Sequence, residues 1–280
     1  MKVRAWFTRD KLRAFGIHLG ISLFIFSVLL YLVLVHWYPQ PLFATDGGWR
    51  AIRIITAVDL VLGPLLTLIV YRRGKPGLKF DLAAIACVQL AALAAGVWIV
   101  HSEHPAVVAL VERELYTVPT YRLREAGVDP GTVGRRFRAG RPPLVVVDLP
   151  EDDEAYLMLL KRSVAEGRPL STHADRYRDI TPATLAVLRA AAVDVDQYLA
   201  RWPRYRDRVE AFRRRHGPAA DRFLYLELRS RYHWALAAFD PEARRIVDIL
   251  DVPPPTQLEN QRPATGTRSA ARGDGGGQNG

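Results

Sequence analysis

Two ionisable residues, Arg53 and Asp59, sit inside an apolar run from about Ile52 to Tyr71 that also holds Gly63-Pro64. An ionised carboxylate deep in hydrocarbon costs roughly 3 kcal/mol on insertion scales unless it is paired, protonated or turned toward protein. Asp59 is therefore the candidate for a functional or helix-packing contact inside a membrane. Six residues on a helix separate it from Arg53 by about 9 Å along the axis and roughly 120° around it, so the two are poorly placed to pair. Arg53 is close enough to the end of its run to snorkel into headgroups. His18, in the preceding run, is expected on the opposite side of the bilayer and out of reach of Asp59, and Asp81 beside Lys79 reads as a helix cap.

Catalytic patterns are missing from the rest of the chain. His101 and His104 are three apart, His173 lies near Asp175, and His216 and His233 stand alone. None has the spacing of a three- or four-ligand metal cage. There is no Gly-x-Ser-x-Gly elbow, phosphate loop or dinucleotide fingerprint. The acids Glu151, Asp152, Asp153 and Glu154 stand where a helix begins and read as a solvated cap. The expectation is a chain with no enzymatic activity, no cofactor and no metal.

The elements that must position Asp59 are three apolar runs, about Phe15 to Trp37, Ile52 to Tyr71 and Phe80 to Val100. Each has the ~20 residues that a helix needs to cross about 30 Å of hydrocarbon. The first is too long for the apolar core of a signal peptide. Lys2, Arg4, Arg9, Lys11 and Arg13 precede the first run, and Arg72, Arg73, Lys75 and Lys79 separate the second from the third, whereas the loop from Tyr38 to Ala51 offers only Arg50. Basic loops stay in the cytoplasm, so residues 1–14 are expected inside and everything after the third helix outside, in the periplasm of a bacterial cell. Trp37, Tyr38, Tyr71 and Trp98 fall at the two interfaces. The chain's net charge of +10 is concentrated here, with 11 Lys+Arg against 4 Asp+Glu in residues 1–100. Most of the high pI thus reports membrane topology, with the lipid bilayer as an expected partner and nucleic acid not one.

Residues 101–252 read as an α+β domain. Val107 to Val111 and Leu115 to Val118 flank Glu112-Arg113-Glu114 as a hairpin, and Leu144 to Leu149 is a further β-branched run. Helical periodicity follows from Glu151 to about Val164, from Pro182 to Leu199, and from about Arg204 to Arg215, with Gly217 as a stop. Phe223 to Leu228, Tyr232 to Phe239 and Arg245 to Leu250 read as a meander turning at Asp240-Pro241-Glu242. The only cysteine, Cys87, lies in the third run, so the domain has no internal disulfide and depends on its core. From Pro253 onward, proline, glycine and small polar residues predict a disordered tail over 253–280.

Phe15-Gly16-Ile17-His18-Leu19, Trp37-Tyr38-Pro39 with Pro41-Leu42-Phe43, Asp46-Gly47-Gly48-Trp49, Ile52-Arg53-Ile54 and Asp59-Leu60-Val61-Leu62-Gly63-Pro64-Leu65-Leu66-Thr67-Leu68 resemble the TfpX/TfpZ family of type IV pilin accessory proteins. The likeness continues through Lys79-Phe80-Asp81-Leu82, Gln89-Leu90-Ala91-Ala92-Leu93 and Tyr116-Thr117-Val118. The resemblance implies an inner-membrane, chaperone-like or assembly-modulating protein with a cognate major pilin as partner and the pilus assembly machinery beside it. The candidate partner-binding or helix-packing residues are Arg53, Asp59, Gly63, Pro64 and Trp49. Two other readings stay open: a membrane-tethered periplasmic ligand sensor, and a subunit of a small-solute transporter with Asp59 as its coupling site.

Overall fold

The computed structural model describes residues 8–72, 74 and 76–260. Lys2, Arg4, Arg73 and Lys75, part of the basic pattern above, and the tail residues 261–280 lie outside the described residues.

Three helices, α1 (Arg9–Trp37), α2 (Gly48–Val70) and α3 (Leu78–Glu103), are each long and apolar enough to cross a membrane. α1 starts where the Thr8 hydroxyl accepts a hydrogen bond from the Lys11 N–H. In α2 the turns over Thr56–Leu62 are wound wider than an α-helix, and a normal helix resumes at Gly63–Val70 with Pro64 in its first turn. Proline lacks an N–H and clashes with the carbonyl four residues back, so widened turns before Pro64 let the helix continue. α1 and α3 both pack on α2. At one end of the bundle Leu29, Val33, Ala51, Ile55 and Val100 share a buried cluster. Leu23, Phe24, Phe80, Val88 and Trp98 are exposed on the outside, the distribution a lipid-facing surface requires.

The bundle leads into a mixed domain built on one seven-stranded sheet. Its strands are β1 (Pro105–Val111), β2 (Glu114–Pro119), β3 (Leu144–Val147), β4 (Tyr177–Arg178), β5 (Leu224–Arg229), β6 (Trp234–Asp240) and β7 (Arg245–Leu250), in the order β4-β3-β1-β2-β5-β6-β7. β1 pairs with β3 and β2 with β5 in parallel, and the other pairs are antiparallel. Alternation along β1 decides the layers. Val108 and Leu110 join one core with Leu144, Leu188 and Leu226, while Val107, Ala109 and Val111 join another with Leu123, Val133 and Phe137. Both faces are covered, which is why these strands read as unbroken apolar runs.

Helices α4 (Thr120–Glu125), α5 (Pro130–Arg136), α6 (Asp153–Ala165), α7 (Pro182–Ala191), α8 (Val195–Arg201), α9 (Arg206–His216) and α10 (Pro255–Asn260) cover the sheet. The hairpin, the helix that Asp152 caps and the meander fall where the sequence put them. The helix expected over 182–199 is instead two. The Val193 N–H is taken by Tyr225 O at 2.7 Å, and the Asp194 carboxylate caps a new helix through the N–H groups of Asp196 and Gln197. The segment expected to be tail from Pro253 is folded as far as Asn260. Leu258 is 4% exposed within the cluster formed by Trp202, Phe212 and Leu236, and Tyr198 donates to Pro253 O at 2.9 Å.

Candidate functional site

Asp59 lies in the widened turns of α2 and is 1% exposed. Its Oδ1 accepts from the Ser22 hydroxyl at 3.1 Å and from Gln89 Nε2 at 2.8 Å. The Gln89 carbonyl oxygen in turn lies 2.9 Å from His18 Nε2, and His18 Nδ1 lies 2.6 Å from Thr67 Oγ1. An amide oxygen can only accept, so the His18 Nε2 proton points to Gln89, while Nδ1 and the Thr67 hydroxyl share the second bond. The result is a hydrogen-bonded series in which His18 donates to Gln89 and Gln89 to Asp59, with Thr67 at its far end, that ties three helices together. Asp59 Oδ2 is buried and has no partner among the described residues.

The sequence had placed His18 out of reach. It does not touch Asp59, but a glutamine spans the gap, because Thr67, near the end of antiparallel α2, lies level with His18. Gly63 belongs to the same site: a Cβ there would stand 2.2 Å from Gln89 Oε1 and 2.4 Å from its Cδ, so the glycine makes room for the amide. Pro64 is buried beside it. The other two candidates lie elsewhere. Arg53 is exposed on the bundle surface. Trp49 is 55% exposed at the start of α2 and meets Phe43 edge-on at 5.3 Å.

A cleft of about 790 Å³ runs between α1 and α3 with α2 as its floor, and Ser22, Asp59, Thr67 and Gln89 line it together with His18. Beyond Asp10 and Arg13 at the start of α1, its rims are apolar: Ile17, Ile21 and Ile25 on α1, and Leu82, Ala86, Leu90 and Leu93 on α3. On each helix they recur at spacings of three or four, which sets them in a row along one face.

A second cluster joins the bundle to the sheet domain. The loop between α1 and α2 enters the domain, and Leu42, 1% exposed, belongs to its main core. Thr117 donates to Asp46 Oδ1 at 2.6 Å, and Ser230 donates to Thr45 O at 2.8 Å. Gly47, at φ +95°, brings its backbone against the Tyr232 ring, over which the Arg50 guanidinium lies 4.1 Å from the centroid. At the end of α3, Glu103 pairs with Arg231 at 3.0 Å. Burial pushes the Asp46 carboxyl up to about 6, against the opposing hydrogen bonds from Thr117, Arg231 and Thr45. Burial likewise pushes His104 down to about 4. His104 Nδ1 donates to His101 O, and Nε2 lies 3.1 Å from Thr120 Oγ1.

Three histidines of the sheet domain have side-chain partners: His173 meets Ser163 at 3.0 Å, His216 meets Asp248 at 2.7 Å, and His233 meets Asp251 at 2.6 Å. Among the described residues no group of three or more His, Cys, Asp or Glu is arranged to hold a metal ion.

Residues 7–47, a stretch that takes in α1 and the loop entering the sheet domain, match the family model of the fimbrial assembly protein FimB. The fimbrial assembly protein of Dichelobacter nodosus serogroups C1 and C2 is 32% identical over 96 residues, 33% of this chain and 72% of that protein. The serogroup I fimbrial assembly protein of the same organism is also 32% identical over 96 residues, but the chain spans only 37% of its length. No solved structure matches the chain. On the extent of the first of these likenesses, the chain belongs to the fimbrial assembly protein family.

Proposed function

We propose that the chain is an inner-membrane accessory protein of the TfpX/TfpZ kind, a chaperone-like factor or assembly modulator for its cognate major type IV pilin. The likeness to the fimbrial assembly proteins carries this reading. The architecture supports it: a helical bundle with a polar cleft is locked to a sheet domain, which offers one surface to a membrane-embedded segment and another to a globular head. In this reading the N-terminus and the α2–α3 connection are cytoplasmic, the sheet domain is periplasmic, and the bilayer surrounds the bundle. The protein works by binding, without catalysis or cofactor, beside the inner-membrane pilus assembly machinery.

The test is deletion of the gene, with complementation by the wild-type chain, while surface pili and total cellular pilin are measured together. Loss of surface pili with pilin retained assigns the protein to assembly or pilus dynamics. Loss of both assigns it to protection of pilin. Normal amounts of each overturn the proposal.

A further inference from the structure

We infer that the cleft between α1 and α3 seats a membrane-spanning helix of the partner, and that this helix donates a hydrogen bond to Asp59 Oδ2. The partner's name, the pilin, rests on the proposed function; the site itself rests on geometry. Asp59 is almost wholly buried, Oδ1 is satisfied twice by Ser22 and Gln89, and Oδ2 has no partner among the described residues. A buried acceptor in an apolar setting calls for a donor. The rims that flank it, with Ile21 57% exposed and Leu90 60% exposed, form two apolar rails on the bundle surface. From Ile17 to Ile25 the α1 rail rises through eight residue steps, about 12 Å or two helical turns of an occupant.

A helix fits this shape better than a lipid tail does. An acyl chain would cover the rails but has no hydrogen to offer a carboxylate. A helix with apolar residues on its flanks and one hydroxyl, amide or amine facing inward satisfies both parts of the surface at once. In lipid, such polar contacts and close packing drive association, because apolar contact alone gains nothing over the solvent. The hydrogen-bonded series from Thr67 through His18 and Gln89 holds Asp59 in one orientation and keeps Oδ2 as the acceptor left for the incoming group.

The test uses the full chain in membranes of cells that make the pilin. Benzoylphenylalanine replaces Ile21 or Leu90 on the rails, Leu23 or Val88 on the outward faces, and Met158, 62% exposed, on the sheet domain. After illumination, products are probed for pilin. Pilin adducts from the rails and not from the outward faces are the expected result, with at least a fivefold drop in rail yield for Asp59→Leu. Unchanged yield in that variant overturns the hydrogen-bond assignment. If Asp59→Leu fails to accumulate, Asp59→Asn takes its place, and the wild-type pattern of rails against outward faces still decides whether the cleft is the seat. Equal adducts on all faces, adducts to lipid alone, or adducts to a second copy of this chain overturn the inference. Pilin adducts at Met158 without rail adducts overturn the cleft while leaving the proposed function standing. Absence of pilin adducts anywhere, with normal pili after deletion, removes both.

Discussion

Asp46 and His104 make opposite demands on pH within the same junction, and single substitutions separate them. In the folded chain burial raises the Asp46 carboxyl from 3.8 to about 6. The folded state therefore holds a proton that the unfolded state has lost, and stability rises as pH falls from about 6 toward 4. His104 runs the other way, from 6.5 down to about 4. Below pH 6.5 the unfolded chain takes up a proton that the folded chain refuses, and stability falls over nearly the same window. At about 1.4 kcal/mol per tenfold change in proton affinity, each group contributes roughly 3 kcal/mol, so the two nearly cancel in the wild-type chain. Asp46→Asn removes one side. Its stability advantage over wild type at pH 7 is expected to shrink by about 3 kcal/mol on going to pH 4. His104→Gln removes the other, and its advantage is expected to grow by a similar amount. The measurement is thermal unfolding of the full chain in detergent from pH 4 to 7.5, read as variant minus wild type so that all other titrations drop out. A difference of this size moves the midpoint by roughly 6–12 °C in a protein of this length. Difference curves that are flat, or that slope in the same direction for both variants, refute the assignment of buried, unevenly protonated groups to this junction.

Gly63→Ala is expected to push Gln89 away and break the hydrogen-bonded series at its middle, costing about 1–2 kcal/mol in detergent unfolding and lowering pilin co-purification; full retention of both removes Gly63 from the site. Leu258→Ala leaves a cavity under α10 and is expected to cost about 2–4 kcal/mol by denaturant unfolding, where a true tail residue would cost nothing. Gly47→Ala forces a side chain into the left-handed region and against the Tyr232 ring, 2.6 Å from the added carbon, and is expected to cost about 2 kcal/mol or more and to increase proteolysis of the α1–α2 loop.

Asp59 was legible because a carboxylate in an apolar run contradicts its surroundings. Its partners were not. Ser22, Thr67 and Gln89 are ordinary polar residues in helices, and nothing short of knowing which helix faces meet can link them. His18 does lie short of Asp59, as its depth in α1 implied; what the sequence hid is the link between them, because Thr67 on the returning α2 is level with His18 and the long Gln89 side chain covers the remaining distance. The strands of the hairpin and the meander were readable from short, largely apolar runs set between turn residues. The break at Ala192-Val193-Asp194 was hidden by continuing apolar periodicity, although Asp194 carries the cap signal that could have found it. Leu258 was lost in a proline-rich composition, and its burial depends on Trp202 and Phe212, more than forty residues away in sequence. The short helices α4 and α5 have no apolar period of their own, being held by Leu123, Val133 and Phe137 against the sheet.

Leu42 comes from the loop between the first two helices, yet it is part of the core of the sheet domain, where Thr117 and Ser230 also hold that loop. The domain that follows the helices is thus incomplete without residues made long before it. A fragment beginning after α3 would expose an apolar seat and leave the Thr117 hydroxyl without its Asp46 acceptor. The loop between α1 and α2 must therefore be in place before the sheet can close over Leu42. With the bundle spanning the bilayer as proposed, folding of the domain becomes a check on how α1 and α2 were threaded, and a chain inserted the other way round is left with an open core.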